Sequence, residues 1–466
     1  MNKPLPSEVE QRIAEATDRF RQELTELWEW VLDEESGTPA TALEIEHRIR
    51  DWIRQIGEDT QAQTLGQLER YRVKGKQACP GCGAEIYWTR YAPREHISSL
   101  GELTIERAYY HHGACHTGWV PLDERLGLGS SELSPLVQEM ASYLGAWMPF
   151  EQAATYLAKY QDIHISHDSV NRSTVQIGQA LQAQQEQAVA AAWEEQELPA
   201  CEVETPPTRL YISSDGIRHL LPDGEGKEIK VAAVYETEER ETANGEVEIH
   251  ARDIEYVVAA TGEELAPAVY LRAVQCGVLA ADEIGVLGDG ANWIWNRIAA
   301  QFPKRKTTEI VDFYHASEYL WDVARAVWGV ESEQTHTWGA EQCHTLKHEG
   351  GAVIQSVLTD LPRVSDSPPQ EVVNARTYFD NQHSRMDYPA YRAGGWQIGS
   401  GSAESGVKQV VGVRLNQAGM RWNPDHAVAV AHVRATILSD RWDAFWDAYQ
   451  PPPRQYQRHT PPAAAA

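Results

Sequence analysis

The stretch "EIGVLGDGANWIWNRIAAQF", residues 283–302, decides how the second half of the chain is read. A run of apolar β-formers ends at Gly288-Asp289-Gly290, and apolar residues then recur at helical spacing through Ile294 and Ile298. A short continuous apolar run stopped by Asp-Gly predicts a buried strand and a turn, and the periodicity beyond it predicts a helix. The same strand-turn-helix unit follows in "TTEIVDFYHASEYLWDVARAVWG" (307–329). Upstream, "RLYISSDGIRHLL" (209–221), "GKEIKVAAVYETEE" (226–239) and "IEYVVAA" (254–260) are β-rich. The order β-β-β-(α)-β-α-β-α predicts a mixed α/β sheet over residues 205–330.

Around this sheet the chain divides by composition. Residues 1–75 are charged and heptad-flavoured and predict an N-terminal amphipathic helical region. Residues 76–128 mix Cys, His and Gly with short β-like runs, a zinc-ribbon-like pattern. Residues 129–200 return to helix, and "ELPACEVETPPTR" (197–209) makes an acidic, Pro-containing boundary. Residues 331–395 read as a polar helical insertion, and 396–448 as a C-terminal part with a helix starting near 402. The tail 449–466, with "PPPRQYQRHTPPAAAA", is expected to be disordered. The predicted fold class is therefore multidomain α+β.

At 466 residues, with 42% hydrophobic residues and sixteen Trp, the chain is long enough for several cores. No apolar run approaches eighteen residues and the N-terminus lacks an apolar signal region, so no membrane partner and a cytoplasmic location are expected. The net charge of −27 repels nucleic acid on average, so a nucleic-acid reading requires local basic patches.

Three acids sit where such chemistry would need them. Asp215 and Asp289 each stand in Asp-Gly after a strand, and Glu404 lies among small residues in "GSGSAESGVKQVVGVRLNQAGMRW" (399–422). Either Asp-Gly pair alone reads as an ordinary turn. Together with the glutamate, three carboxylates can hold two Mg2+ or Mn2+ ions roughly 4 Å apart and support in-line phosphoryl transfer.

The neighbourhoods of these acids are more specific than their spacing. "LGDGANWIWN", "VDFYHASEYL", "MDY" followed by "IGSGSAESGVKQVVGVRLNQAGMRW", and "SDRWDAFW" together resemble the ISKra4 family of bacterial insertion-sequence transposases. The likeness extends upstream through "CPGCG", "ERAYY", "PLDERLGLG" and "SPLVQEM", and covers most of residues 75–446. It implies a ribonuclease H-like catalytic core whose DDE acids are Asp215, Asp289 and Glu404, with a helical insertion before the glutamate. It further implies Mg2+-dependent nicking of DNA at element ends, then strand transfer, by a homo-oligomer that synapses two ends. Asn416 departs from the pattern, standing where a Lys is expected in this family. Asp312 and His315, in "DFYH", resemble a DxxH element of other DDE transposase families; they read as a supporting pair beside the metal site, or as a satisfied strand-end Asp and a partly buried His.

Cys79 and Cys82 in "CPGC" and His112 and Cys115 in "HHGACH" form two chelating pairs at x2 spacing. That matches a structural Zn2+ site of Cys3His type. His111 or His116 competes for the place of His112. Cys201, Cys276 and Cys343 are isolated and read as packing residues.

For DNA contact, residues 150–178 read as a helix-turn-helix-like segment whose second helix carries Asn171, Arg172 and Thr174, or as an ordinary helical hairpin. Lys304, Arg305 and Lys306 form a local basic run. Lys408, Arg414 and Arg421 extend a basic track from Glu404. Two rivals to the transposase reading remain: a catalytically inactive or domesticated DNA-binding relative, and a glycosidase with paired carboxylates.

Overall fold

The structure, a computed structural model, describes residues 7–32, 41–66, 68, 72–73, 76–241, 247–361 and 368–451. The tail expected at 449–466 lies outside the described residues from 452 onward. The chain forms two compact units, one of Met1–Ala141, Glu151–His167 and Tyr449–Ala466, the other of Ser142–Phe150 and Asp168–Ala448. Among the described residues no helix is long and apolar enough to cross a membrane.

The first unit opens with helices Ser7–Val31 and Ala42–Gly66. Arg19 pairs with Asp59, Phe20 packs on Trp52, and Arg48 lies over Trp30. Because later residues of one helix meet earlier residues of the other, the two run antiparallel. Thr41 and Glu44 start the second helix with a reciprocal capping box.

A four-stranded antiparallel sheet follows, in the order β1 (Gln77–Ala78), β2 (Glu85–Ser98), β3 (Gly101–His112), β4 (Thr117–Trp119). The long β2–β3 hairpin extends well past the metal-ligand spacing that predicts a small ribbon. Its far end is held by Asp123, which is buried between the guanidinium groups of Arg94 and Arg107 at 3.1 and 2.6 Å. Burial of those charges is compatible with stability because they are paired.

The second unit is built on a five-stranded sheet. Its strands are β5 (Arg209–Leu220), β6 (Gly226–Glu241), β7 (Val247–Ala259), β8 (Glu283–Gly288) and β9 (Thr307–Val311), in the order β7-β6-β5-β8-β9. β5, β6 and β7 pair antiparallel, while β8 and β9 run parallel to β5. Parallel strands are covered on both faces, which accounts for the unbroken apolar run of β8, buried from Ile284 to Gly288.

Helices cover this sheet. Gly262–Gln275 starts at Thr261, whose hydroxyl accepts the Glu264 amide. Phe313–Trp328 starts at Asp312. The interval before the last acid contains helices Glu333–Glu349, Gly351–Thr359, Gln370–Gln382 and Tyr388–Ala393. Helix His167–Ala190 buries Ser173, Thr174, Val175, Ile177 and Gly178. A Cβ on Gly178 would stand 2.1 Å from the Ala429 carbonyl oxygen, so only glycine permits this approach to helix Pro424–Leu438.

The segment 150–178 forms a helix, a short turn and a helix: Phe150–Tyr156, continued as a π-turn through Gln161, then His167–Ala190. Thr174, expected to face a groove, is buried and hydrogen-bonded to the Val170 carbonyl.

Candidate functional site

Strand register brings three acids into one row. Ser214 of β5 pairs with Gly288 of β8, and Gly288 pairs with Val311 of β9. The next residues are Asp215, Asp289 and Asp312, so each acid follows a matched position on three neighbouring parallel strands. Strand carboxyl ends are where open α/β sheets build sites.

Asp215 is half-buried. Burial pushes its carboxyl above the usual range, the Gly216 amide opposes this, and the negative charge of Asp289 raises it further. The Asp-Gly turn expected at Asp215 is not formed: β5 continues antiparallel to β6 through Leu220, and Asp215 stands within it just past the point where its parallel partner β8 ends. Two carboxylates that repel each other at a partly desolvated sheet position are suited to a cation, which relieves both. Asp215 Oδ1 accepts the Gly216 amide at 2.6 Å, and Asp289 Oδ1 accepts the Ala291 amide at 2.8 Å. The Asp289–Gly290 turn is gripped from outside by helix Gln370–Gln382. The Tyr378 hydroxyl donates to the Asp289 carbonyl at 2.8 Å, and Gln382 Nε2 donates to the Gly290 carbonyl at 2.7 Å.

Asp312 differs from its two neighbours. It is buried, and its carboxylate accepts from the His315 amide and from the amide and hydroxyl of Ser400. It is thus committed to the protein and does not form a free pair with His315. The His315 ring lies edge-on to Tyr319 and Tyr378, which stack on each other at 4.1 Å.

Glu404 lies in helix Gly401–Val407, and its side chain is outside the described residues. The helix itself is placed by Gly406, where a Cβ would stand 2.4 Å from the Tyr256 ring. Tyr256 pairs with Ala233 and Ala233 with Ser213, so all three share a sheet face with Asp215, two residues beyond Ser213. The glutamate-bearing helix therefore packs on the face that Asp215 occupies.

The basic track divides. Lys408 and Arg421 are exposed, as is Arg172, whose guanidinium bonds Ser169. Asn171 is half-buried with its Oδ1 enclosed. Arg414 corrects the sequence expectation: it is 1% exposed and donates to the Gly145 carbonyl at 2.9 Å. Its guanidinium lies 4.8 Å from the centre of the Phe150 ring and 4.9 Å from that of Trp422. Burial, then the charge of Arg434, lowers it to about 10. A cation enclosed this way supports the core and cannot meet a DNA backbone. Asn416 is exposed and donates to the Arg218 carbonyl. In the other basic run, Lys304 and Arg305 are exposed while Lys306 donates to the Ala281 carbonyl.

In the first unit Cys79, Cys82, His112 and Cys115 converge, with all four ligand atoms within 4.8 Å of one another. Cys79 Sγ lies 3.5 Å from Cys115 Sγ, and His112 Nδ1 lies 3.3 Å from Cys82 and 3.0 Å from Cys115. A tetrahedral Zn2+ with bonds of about 2.0–2.3 Å sets its ligands about 3.3–3.8 Å apart, so the cluster fits a structural metal such as zinc. His112, rather than His111 or His116, supplies the nitrogen. Two turns build the site: Gly83 adopts φ +71°, and Gly81 leaves no room for a Cβ beside Thr117. The Thr117 hydroxyl and the His112 ring hold the Cys115 thiol down at about 5. Of the other cysteines, Cys276 and Cys343 are half-buried, whereas Cys201 is exposed and does not pack as expected.

Tyr378, Gln382 and Ser400 escaped sequence reasoning. The i,i+4 spacing of Tyr378 and Gln382 marks one helix face, but nothing local points that face at Asp289.

An α+β chain with a Cys3His cluster and two register-adjacent aspartates on its five-stranded sheet is the class these observations define. Residues 84–328, just over half of the chain, match the model of the uncharacterised protein family UPF0236, and the chain belongs to that family. No curated protein matches the chain.

Proposed function

We propose that the protein is a DDE transposase with a ribonuclease H-like core, of the kind its motifs resemble. The observation that carries this reading is the register-matched pair Asp215 and Asp289, with the helix bearing Glu404 packed on the face of Asp215. Three antiparallel strands followed by two parallel ones, in the order β7-β6-β5-β8-β9, agree with such a core.

In this reading Asp215 and Asp289 hold divalent metal ions, Mg2+ or Mn2+, and Glu404 completes the set. Bound there, the metal supplies an attacking water or 3′-hydroxyl of lowered pKa and charge neutralisation on the leaving oxygen. The protein supplies the rest. The Tyr378–Gln382 grip fixes the Asp289 turn, and the small residues around Glu404 leave room for a duplex. Exposed Lys408 and Arg421 meet phosphates, offsetting locally the net charge of −27. The Cys3His sheet and the exposed Arg172 serve recognition of element ends. Two ends are synapsed by a homo-oligomer in the bacterial cytoplasm, on nucleoid DNA.

The test is cleavage and strand joining of end-labelled DNA carrying the flanking element ends, with Mg2+ or Mn2+, against EDTA and a Glu404→Gln variant. Products that require both metal and Glu404 support the reading. A second reading is a catalytically inactive or domesticated DNA-binding relative, a copy that keeps the fold and loses activity through drift of the kind seen at Asn416. DNA bound but uncut with every metal selects it.

A further inference from the structure

The acid row has a third member for which phosphoryl transfer has no use. Asp312 is 5% exposed, and three protein donors meet its carboxylate. Oδ1 accepts the His315 amide at 2.7 Å, while Oδ2 accepts both the Ser400 amide and the Ser400 hydroxyl, the latter at 2.5 Å. Around this contact the segment before helix Gly401–Val407 is docked twice more. The Phe313 amide donates to the Ile398 carbonyl at 2.9 Å, and a Cβ on Gly399 would stand 2.8 Å from the Tyr314 ring. The amide of Asp312 itself donates to the Gly288 carbonyl at 2.8 Å, directly before Asp289. One buried residue thus touches the strand end that carries Asp289 and the last residue before the helix that carries Glu404.

We infer that Asp312 is a positioning residue. It takes no metal; through Ser400 it fixes the start of helix Gly401–Val407 against the ends of β8 and β9. Glu404 follows Ser400 by four residues, about one helical turn or 6 Å along the axis, so its placement is set by this latch. The consequence at Glu404 rests on the transposase reading, whereas the latch does not depend on it. Carboxylate bonds to backbone amides at a helix start are charge-assisted, which suits them to hold such a joint.

The experiment is hydrogen exchange followed by mass spectrometry on the full zinc-loaded chain, comparing wild type with Asp312→Asn, Ser400→Ala and Ser400→Thr. Asparagine presents an amide donor or loses one acceptor oxygen, so exchange across 398–404 accelerates about tenfold or more in Asp312→Asn. Ser400→Ala accelerates it less, Ser400→Thr restores protection by keeping the hydroxyl, and peptides from β6 stay unchanged. In the same samples the half-saturating Mn2+ concentration rises for Asp312→Asn and Ser400→Ala and returns toward wild type in Ser400→Thr. Equal protection of 398–404 in wild type and Ser400→Ala, or a Ser400→Thr chain as fast as Ser400→Ala, overturns the latch. If Asp312→Asn does not fold, the two Ser400 variants decide alone. Loosening of 398–404 in a chain whose wild type takes up no Mn2+ leaves the latch standing and removes the transposase reading.

Discussion

Tyr378 donates its hydroxyl to the backbone carbonyl of Asp289, and its ring closes on Gly290, where φ is +103° and a Cβ would stand 2.8 Å away. A side chain from the helical stretch between the second Asp and the Glu thereby shapes the turn that presents a proposed catalytic acid. Tyr378→Phe keeps the ring stacked on Tyr319 and loses only the hydrogen bond, at a cost of about 1 kcal/mol in urea denaturation. In the transposase reading DNA cleavage falls with it, because the Asp289 turn loosens. Unchanged stability and cleavage in Tyr378→Phe contradict the grip.

Arg414 and its exposed neighbours respond in opposite ways. Arg414→Ala removes a cation enclosed by Phe150 and Trp422 and leaves the Gly145 carbonyl unpaired, so melting reports a loss of about 3 kcal/mol. Lys408→Ala and Arg421→Ala stay within about 0.5 kcal/mol of wild type. In the transposase reading each weakens DNA binding and reduces the slope of log K against log salt by about 0.9. Anisotropy titrations at several salt concentrations separate the two behaviours, and unchanged melting in Arg414→Ala contradicts the buried role.

His432 makes the second unit acid-sensitive. Burial, then the charge of Arg441, lowers its pKa to about 4 from the ordinary 6.5, and its Nε2 has no hydrogen-bond partner. A histidine depressed in the folded state contributes stability that is fully present above 6.5 and is lost as pH falls toward about 4. The loss across that window is on the order of 3 kcal/mol. His432→Leu removes this part of the pH dependence, so wild type loses stability relative to His432→Leu as the pH falls through this window. Parallel curves from pH 7 to pH 4 refute the assignment.

The Cys3His cluster predicts one zinc per chain. Cys82→Ser, or a strong chelator, lowers the metal content measured by atomic absorption and loosens the hairpin turns at 79–84 and 112–117. The five-stranded sheet keeps its exchange protection, since its core lies in a separate unit. Full metal content in Cys82→Ser contradicts the ligand set.

The sequence is most legible where structure is local. The apolar run Ile284–Leu287 stopped by Asp-Gly marks β8 and its turn, and the two x2 pairs mark four residues that do converge. Contacts made across long separations left no local trace. Arg414 sits in a basic run that looks like surface, because its aromatic partners Phe150 and Trp422 reveal themselves only after folding. The same holds for Asp312, whose DxxH spacing suggests a site pair, whereas Ser400 claims one of its oxygens. The helix with Asn171 and Arg172 shows a helix-turn-helix pattern, yet Gly178 is small because helix Pro424–Leu438 presses on it.

In the transposase reading Asp215 and Asp289 jointly hold a divalent metal. Titration of Mn2+ into the zinc-loaded chain, followed by the electron paramagnetic resonance signal of free Mn2+, measures it directly. Wild type takes up Mn2+ in a saturable step that Asp215→Asn and Asp289→Asn each abolish. Uptake by wild type that matches uptake by Asp289→Asn contradicts the claim.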